Sequence, residues 1–236
     1  MPRSLVMLAG MMCDERLFAH QLNHFLQDDD TDIDILIPPM DTASTIERLA
    51  QNVLAASPPT FAVCGLSMGG ILAMELYRQA PHRITHLALM DTNPLAETEQ
   101  GVNRRNRQIA DVQAGRLVQV MADEMKPLYL ASRPDTQPLL KLCMDMAVSL
   151  GEKVFIAQSL ALRDRRDQTE TLKSVSCPTL ILHGAEDKLC PPERHQFMHA
   201  LIGHAELVSI EHAGHLPPLE MPDDVTAHLY QWLGLC

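Results

Sequence analysis

One pentapeptide constrains this chain more than any other feature. Gly65-Leu66-Ser67-Met68-Gly69 follows the short apolar run 61–64 and precedes 68–79, a segment with the pattern of a helix. In that context a G-x-S-x-G sequence makes a sharp strand-to-helix turn with the serine at its apex. Side chains two positions either side of the serine would collide, and Gly65 and Gly69 avoid this. Gly70 lets the helix approach the sheet closely. The Met68 N–H then lies at a helix N-terminus, where partial positive charge suits an oxyanion.

The same alternation runs along the chain. Residues 4–9, 33–37, 61–64, 84–90, 179–182 and 206–210 read as strands, and 45–56, 68–79 and 226–233 as helices. In 45–56, Ile46, Leu49, Ala50, Val53 and Leu54 fall on one face. Strands alternating with helices predict a parallel sheet covered on both faces. From about Pro94 to Leu172 the rhythm fails. No strand pattern is present there, whereas Val118, Met121, Ala122 and Met125, then Leu139, Leu140, Leu142, Cys143 and Met146, have helical spacing. The expected organisation is a core of 1–93 and 172–236 with an all-helical cap over 94–171. The acidic run Asp28-Asp29-Asp30 reads as a solvated turn.

Composition narrows the function classes. A chain of 236 residues with 46% hydrophobic and 21% charged residues suits one globular domain. Its net charge of −11 argues against nucleic acid and against an anionic membrane surface as partners. No apolar run reaches the ~18 residues that a membrane span needs. The first ten residues read as a strand rather than a signal peptide. Six scattered cysteines without a C-x-x-C pair predict reduced thiols and a cytoplasmic location.

A serine hydroxyl is a weak nucleophile that needs a base, and the base needs an orienting acid. The apolar run 180–182 leads into His183-Gly184-Ala185-Glu186-Asp187, and 206–210 leads into Glu211-His212-Ala213-Gly214-His215. Both loops follow strand ends, where parallel sheets place ligands. Asp187 has rivals in Asp91 and Glu186, and His215 has one in His212. His183 reads as structural. His195 and His199 have metal-ligand spacing but lack the H-E-x-x-H glutamate and a third ligand, so they read as surface histidines. Cys13 and Cys190 lie near the expected mouth of the site. Arg104, Arg105 and Arg107 read as a solvated helix face; turned toward the site, they would imply an acidic substrate. Met11, Met12, Met68, Met121, Met125, Met144 and Met146 suit core packing or an adaptable apolar pocket.

The order Ser67, Asp187, His215 and the sequences around them resemble the α/β-hydrolase superfamily, especially its small cytosolic esterase-like members with a helical cap. The resemblance rests on Leu8-Ala9-Gly10-Met11, Gly65-Leu66-Ser67-Met68-Gly69-Gly70, Cys177-Pro178-Thr179-Leu180-Ile181-Leu182-His183-Gly184-Ala185-Glu186-Asp187 and His212-Ala213-Gly214-His215. It spans nearly the whole chain. It implies an α/β-hydrolase fold, a mostly parallel sheet flanked by helices with a helical cap. Ser67 would be the nucleophile, His215 the base and Asp187 the acid. Met11 would join Met68 in the oxyanion hole, although Ala9-Gly10 stands where the family usually has His-Gly. The implied reaction is hydrolysis of a small carboxylic ester, thioester or lactone through an acyl-enzyme, with no cofactor or metal and with a small molecule as partner. The same triad also serves carbon–carbon lyases and synthases of the menaquinone-pathway type on acidic substrates, and some hydrolase folds are non-catalytic binding modules.

Overall fold

Segments such as Phe61–Leu66 and Thr179–Gly184 carry no polar alternation, so as strands they need cover on both faces. The computed structural model, which describes residues 3–28, 33–132, 134 and 136–235, supplies that cover, and every residue of both segments is buried. Asp29 and Asp30 of the acidic run, and Cys236, lie outside the described residues.

In chain order the elements are β1 (Arg3–Leu8), α1 (Ala19–Gln27), β2 (Ile33–Leu36), α2 (Ile46–Ala56), β3 (Phe61–Leu66), α3 (Met68–Gln79), β4 (Ile84–Met90), α4 (Glu99–Gln113), α5 (Leu117–Val120), α6 (Gln137–Arg163), α7 (Thr169–Lys173), β5 (Thr179–Gly184), α8 (Pro192–Leu201), β6 (Glu206–Ile210), α9 (Pro217–Glu220) and α10 (Pro222–Leu233). The six strands form one sheet in the order β2-β1-β3-β4-β5-β6, and every pairing is parallel. The expected strands and helices are present, with shifted ends. β5 runs on through Gly184, which puts His183 inside the strand. α10 starts at Pro222 rather than at 226, because proline is well suited to a first helical turn. The short helices α1 and α9 are additions to the sequence reading.

Strand order positions the site. From β1 the chain steps outward to β2, returns to β3, and then proceeds in the opposite direction to β6. The carboxyl ends of β1 and β3 therefore flank the switch point, where connections leave in opposite senses and open a crevice. Leu8 pairs in register with Gly65, so the turn after β1 and Ser67 after β3 meet there. Helices α2, α3, α7 and α8 pack in succession against one another, while α1 packs against α9 and α10. Thr45 caps α2 by accepting the Arg48 N–H at 3.3 Å. Ile46, Leu49, Ala50 and Val53 of that helix are buried, each large one contributing about 1.5–3 kcal/mol of apolar burial.

The segment between β4 and β5 is helical, with no strand among its described residues. α4 and α5 pack on α6, and α6 is broken at Gly151, whose φ of 80° and ψ of 179° depart from helix geometry. Residues Met121–Met125 form a widened π turn after α5.

Candidate active site

The turn after β3 has the geometry its glycines demand. Ser67 has φ 55° and ψ −113°, a conformation that costs free energy for a residue with a Cβ. A Cβ on Gly65 would lie 2.2 Å from the Gly69 carbonyl oxygen, and one on Gly69 would lie 2.0 Å from that of Leu8. On Gly70 it would lie 2.6 Å from the Thr92 side chain, so the close approach is to the second residue after β4 rather than to a strand backbone. Two hydrogen bonds hold the strained residue. The Ser67 N–H donates to the Met90 carbonyl at 2.8 Å, and the Thr92 hydroxyl donates to the Ser67 carbonyl at 2.8 Å.

Three strand ends converge here. Ser67 Oγ lies 2.9 Å from His215 Nε2, and His215 Nδ1 lies 2.8 Å from Asp187 Oδ2. The other carboxylate oxygen of Asp187 accepts the N–H groups of Leu189 at 2.8 Å and Cys190 at 3.0 Å. Burial would raise the Asp187 pKa, but His215 and the two backbone donors outweigh it and bring it below the usual value. An ionised Asp187 accepts the proton of Nδ1, leaving Nε2 as the acceptor for the serine hydroxyl.

The rivals stand elsewhere. Asp91 is fully buried, with φ 44°, and its Oδ1 accepts the Gly184 N–H at 2.9 Å. Burial, reinforced by the charge of Asp187, raises its pKa well above the ordinary carboxylate value. Glu186 is exposed and accepts the Ser132 N–H at 3.2 Å, and His212 is exposed as well.

Several residues that sequence reasoning missed hold this arrangement. Glu220, buried in α9, straddles the His215 loop. Its Oε1 accepts the N–H of Gly214 at 2.9 Å and of Leu216 at 3.2 Å, and its Oε2 accepts that of Ala131 at 2.7 Å. The His215 N–H donates to the Tyr129 carbonyl at 2.7 Å. On the other side, residues 10–13 form a turn closed by Cys13 N–H to Gly10 carbonyl at 3.1 Å, with Met12 at φ 57°. Gln158 of α6 accepts the Met12 N–H there. No motif announces these contacts, because each is made to the backbone of a segment remote in sequence.

A cavity of about 340 Å³ opens over Ser67 and His215, and Met11 lines it together with residues of the helical insertion. Met68 is fully buried at the start of α3, where its N–H has no partner within the helix. Cys13 and Cys190 also line the cavity, but burial raises both thiols far above their ordinary pKa, which leaves them protonated and unreactive. The Cys190, Asp187 and His215 donor atoms lie within 4.8 Å of one another, two of them already committed to the hydrogen-bond chain.

Two expectations need correction. His195 is not a surface histidine. It is fully buried, stacks on His183 with ring centres 4.6 Å apart, and accepts the Thr92 N–H at 3.2 Å. Burial, aided by His183, lowers its pKa to about 3, so it is a neutral packing residue, and His199 is half-buried. Only part of the arginine run of α4 forms a solvated face. Arg104 and Arg107, three apart and so on one side of the helix, are both exposed, Arg107 pairing with Glu124 at 2.6 Å and Arg104 lining the cavity at its exposed edge. Arg105, about 100° round the helix, is turned inward to line the cavity and pairs with Glu97 at 2.8 Å.

Similar proteins agree with this architecture. Pimeloyl-(acyl-carrier protein) methyl ester esterases of Nitrosospira multiformis and Aromatoleum aromaticum are 23% and 25% identical to this chain. The first match covers 79% of this chain and 73% of the relative, the second 76% of each. A thermophilic esterase from Thermogutta terrifontis, solved with malate bound, superposes with a TM-score of 0.85 at 26% identity, covering 98% of this chain and 89% of that one. The enol-lactonase from Burkholderia xenovorans shares the fold with a TM-score of 0.86 at 19% identity, covering 99% and 92%. No helix among the described residues is long and apolar enough to cross a membrane. The sequence pattern of the alpha/beta hydrolase family matches residues 20–228, and the chain belongs to that family.

Proposed function

We propose that this chain hydrolyses a carboxylic ester through an acyl-enzyme formed on Ser67. The observation that carries the reading is the unbroken hydrogen-bond chain from Ser67 Oγ through His215 to an ionised Asp187. His215 Nε2 takes the hydroxyl proton as Oγ bonds to the ester carbonyl carbon. Asp187 holds the imidazole tautomer and stabilises the imidazolium. The N–H groups of Met68 and Met11 receive the oxyanion. His215 then gives its proton to the departing alkoxy oxygen as the C–O bond breaks, and an alcohol leaves. Water attacks the acyl carbon as His215 takes one of its protons, His215 returns that proton to Ser67 Oγ as the acyl bond to the serine breaks, and a carboxylic acid is released with the enzyme restored. A thioester or lactone would follow the same steps, and none of them calls for a metal or cofactor.

The esterases among its relatives support hydrolysis over other uses of this fold. In this reading residues 94–171 cap a core of 1–93 and 172–236, as suits a cavity lined from both. The substrate is a small molecule, and the five described, unpaired cysteines suit the cytoplasm. A second reading, a triad-dependent lyase acting on an acidic substrate, draws on Arg104 in the cavity wall. The test is a panel of p-nitrophenyl esters with Ser67→Ala alongside and fluorophosphonate labelling of the wild type. Turnover that falls by about 10³-fold or more in the variant supports the serine esterase. An unlabelled Ser67, or a variant that keeps most of the activity, removes the serine from the nucleophile role. A labelled serine without ester turnover favours the lyase.

A further inference from the structure

A chain of net charge −11 walls its active-site cavity with four arginines and two glutamates. Both glutamates are occupied. Glu97 lies between Arg105 at 2.8 Å and Arg165 at 2.9 Å. Burial would raise its pKa, but the two guanidiniums outweigh it and bring it to about 2, so a single negative charge serves two cations. Glu124 is held by Arg107 from outside the cavity at 2.6 Å and by Gln108 at 3.1 Å. Arg104 and Arg194 remain. Among the described residues neither guanidinium has an ion-pair or hydrogen-bond partner, and the charge of Arg104 opposes that of its neighbour Arg105. Arg104 belongs to α4 of the insertion and Arg194 to α8 of the core, so the two cations approach the cavity from different parts of the fold.

An excess of positive charge in the cleft of an acidic protein is a recognition feature rather than a sampling of the average surface. The cavity also presents Leu95, Leu128 and Leu162. Its volume of about 340 Å³ lies at the small end of ligand sites. We propose that the ester carries a second, free carboxylate. The substrate class is the monoester of a small dicarboxylic acid, whose carboxylate is received by Arg104 and Arg194 while its methylene chain crosses the apolar wall to the ester carbon at Ser67. A guanidinium fork matches a carboxylate in shape and charge. The two arginines are thus specificity-determining residues. This inference rests on the esterase reading above.

The experiment compares kcat/KM for monomethyl succinate, glutarate and adipate with methyl butyrate, valerate and hexanoate, which match them in acyl carbon number and lack the charge. Wild type, R104Q, R194Q and the double variant are measured at low and high salt. The expected result is a preference for the acid at one or more chain lengths, weakened by salt. The acid-to-neutral ratio should fall by about tenfold or more in the double variant, as expected for loss of charged hydrogen bonds. A wild-type preference for the neutral ester at every length, or a ratio unchanged in the double variant, overturns the proposal. If no ester of either kind turns over while a fluorophosphonate labels Ser67, the substrate class falls and the nucleophile stands. If Ser67 is also unlabelled, the esterase reading itself falls.

Discussion

The side chain of Gln158 accepts the Met12 N–H at 2.8 Å and donates its own amide N–H to the Met40 carbonyl at 2.9 Å, so one residue of α6 ties down the turn that presents Met11. Replacing it with an apolar residue of similar size would leave two buried backbone groups unpaired. Gln158→Leu is expected to cost about 1–3 kcal/mol of stability, measured by urea unfolding. If Met11 supplies an oxyanion donor, kcat should fall by about tenfold or more with a smaller change in KM. A folded variant with wild-type kcat would remove that role from the loop.

Asp187 and Asp91 should respond differently to amidation. Asp187→Asn is expected to lower kcat by about 10⁴-fold, because the histidine loses its tautomer-fixing acceptor. Asp91→Asn should leave ester turnover near wild type. Its stability effect has a defined sign. Asp91 holds its proton to higher pH in the folded protein than in the unfolded chain, where it is released above about pH 3.8, so rising pH through that range favours unfolding of the wild type through this group. The variant escapes that penalty, and its urea midpoint relative to wild type should be higher at pH 7 than at pH 4. A loss of turnover confined to Asp91→Asn would reverse the assignment of the acid.

Glycine replacement should separate steric demand from composition. Gly65→Ala and Gly69→Ala each push a methyl group against backbone that cannot yield, at 2.2 Å and 2.0 Å. Each should destabilise by about 2 kcal/mol or more, or prevent soluble expression. Gly203→Ala, which meets nothing within 4 Å, should stay within about 0.5 kcal/mol of wild type. Equal thermal midpoints for all three would contradict the close approach of α3 to β1.

Glu97 makes stability depend on acid. Its pKa is about 2 in the folded protein against an ordinary 4.5, so the unfolded chain binds the proton first as pH falls. Its contribution is fully present above the ordinary value and disappears as pH drops toward about 2. Unfolding midpoints of wild type and Glu97→Gln should therefore differ by a constant amount near neutrality and converge below pH 4. A gap independent of pH would show that Arg105 and Arg165 do not depend on the charge of Glu97.

What could be read from the sequence was whatever depends on short-range sterics or on chain order. Gly65, Ser67 and Gly69 declare their turn because the collisions that require them are local. Asp187 and His215 lie in loops that follow recognisable strands, and the structure brings both within hydrogen-bonding distance of one another. Glu220, Gln158 and Thr92 gave no signal, since each acts on backbone groups across the fold and a lone Glu, Gln or Thr in a loop or helix has many uses. His195 departs from the sequence expectation because spacing along α8 does not say which side meets β5. Arg105 is turned inward by the path of α4 over the cleft, which its own sequence neighbourhood does not specify.

Ser67 and Met11 come early in the chain, but what holds them comes later, Met90 and Thr92 at the end of β4 and Gln158 in α6; Asp187 follows β5, His215 follows β6, and the carboxylate that clamps the His215 loop comes later still, in α9. On the mechanism proposed above, the growing polypeptide therefore carries its serine well before the base that would activate it, and a fragment ending within the helical insertion is expected to lack hydrolytic activity.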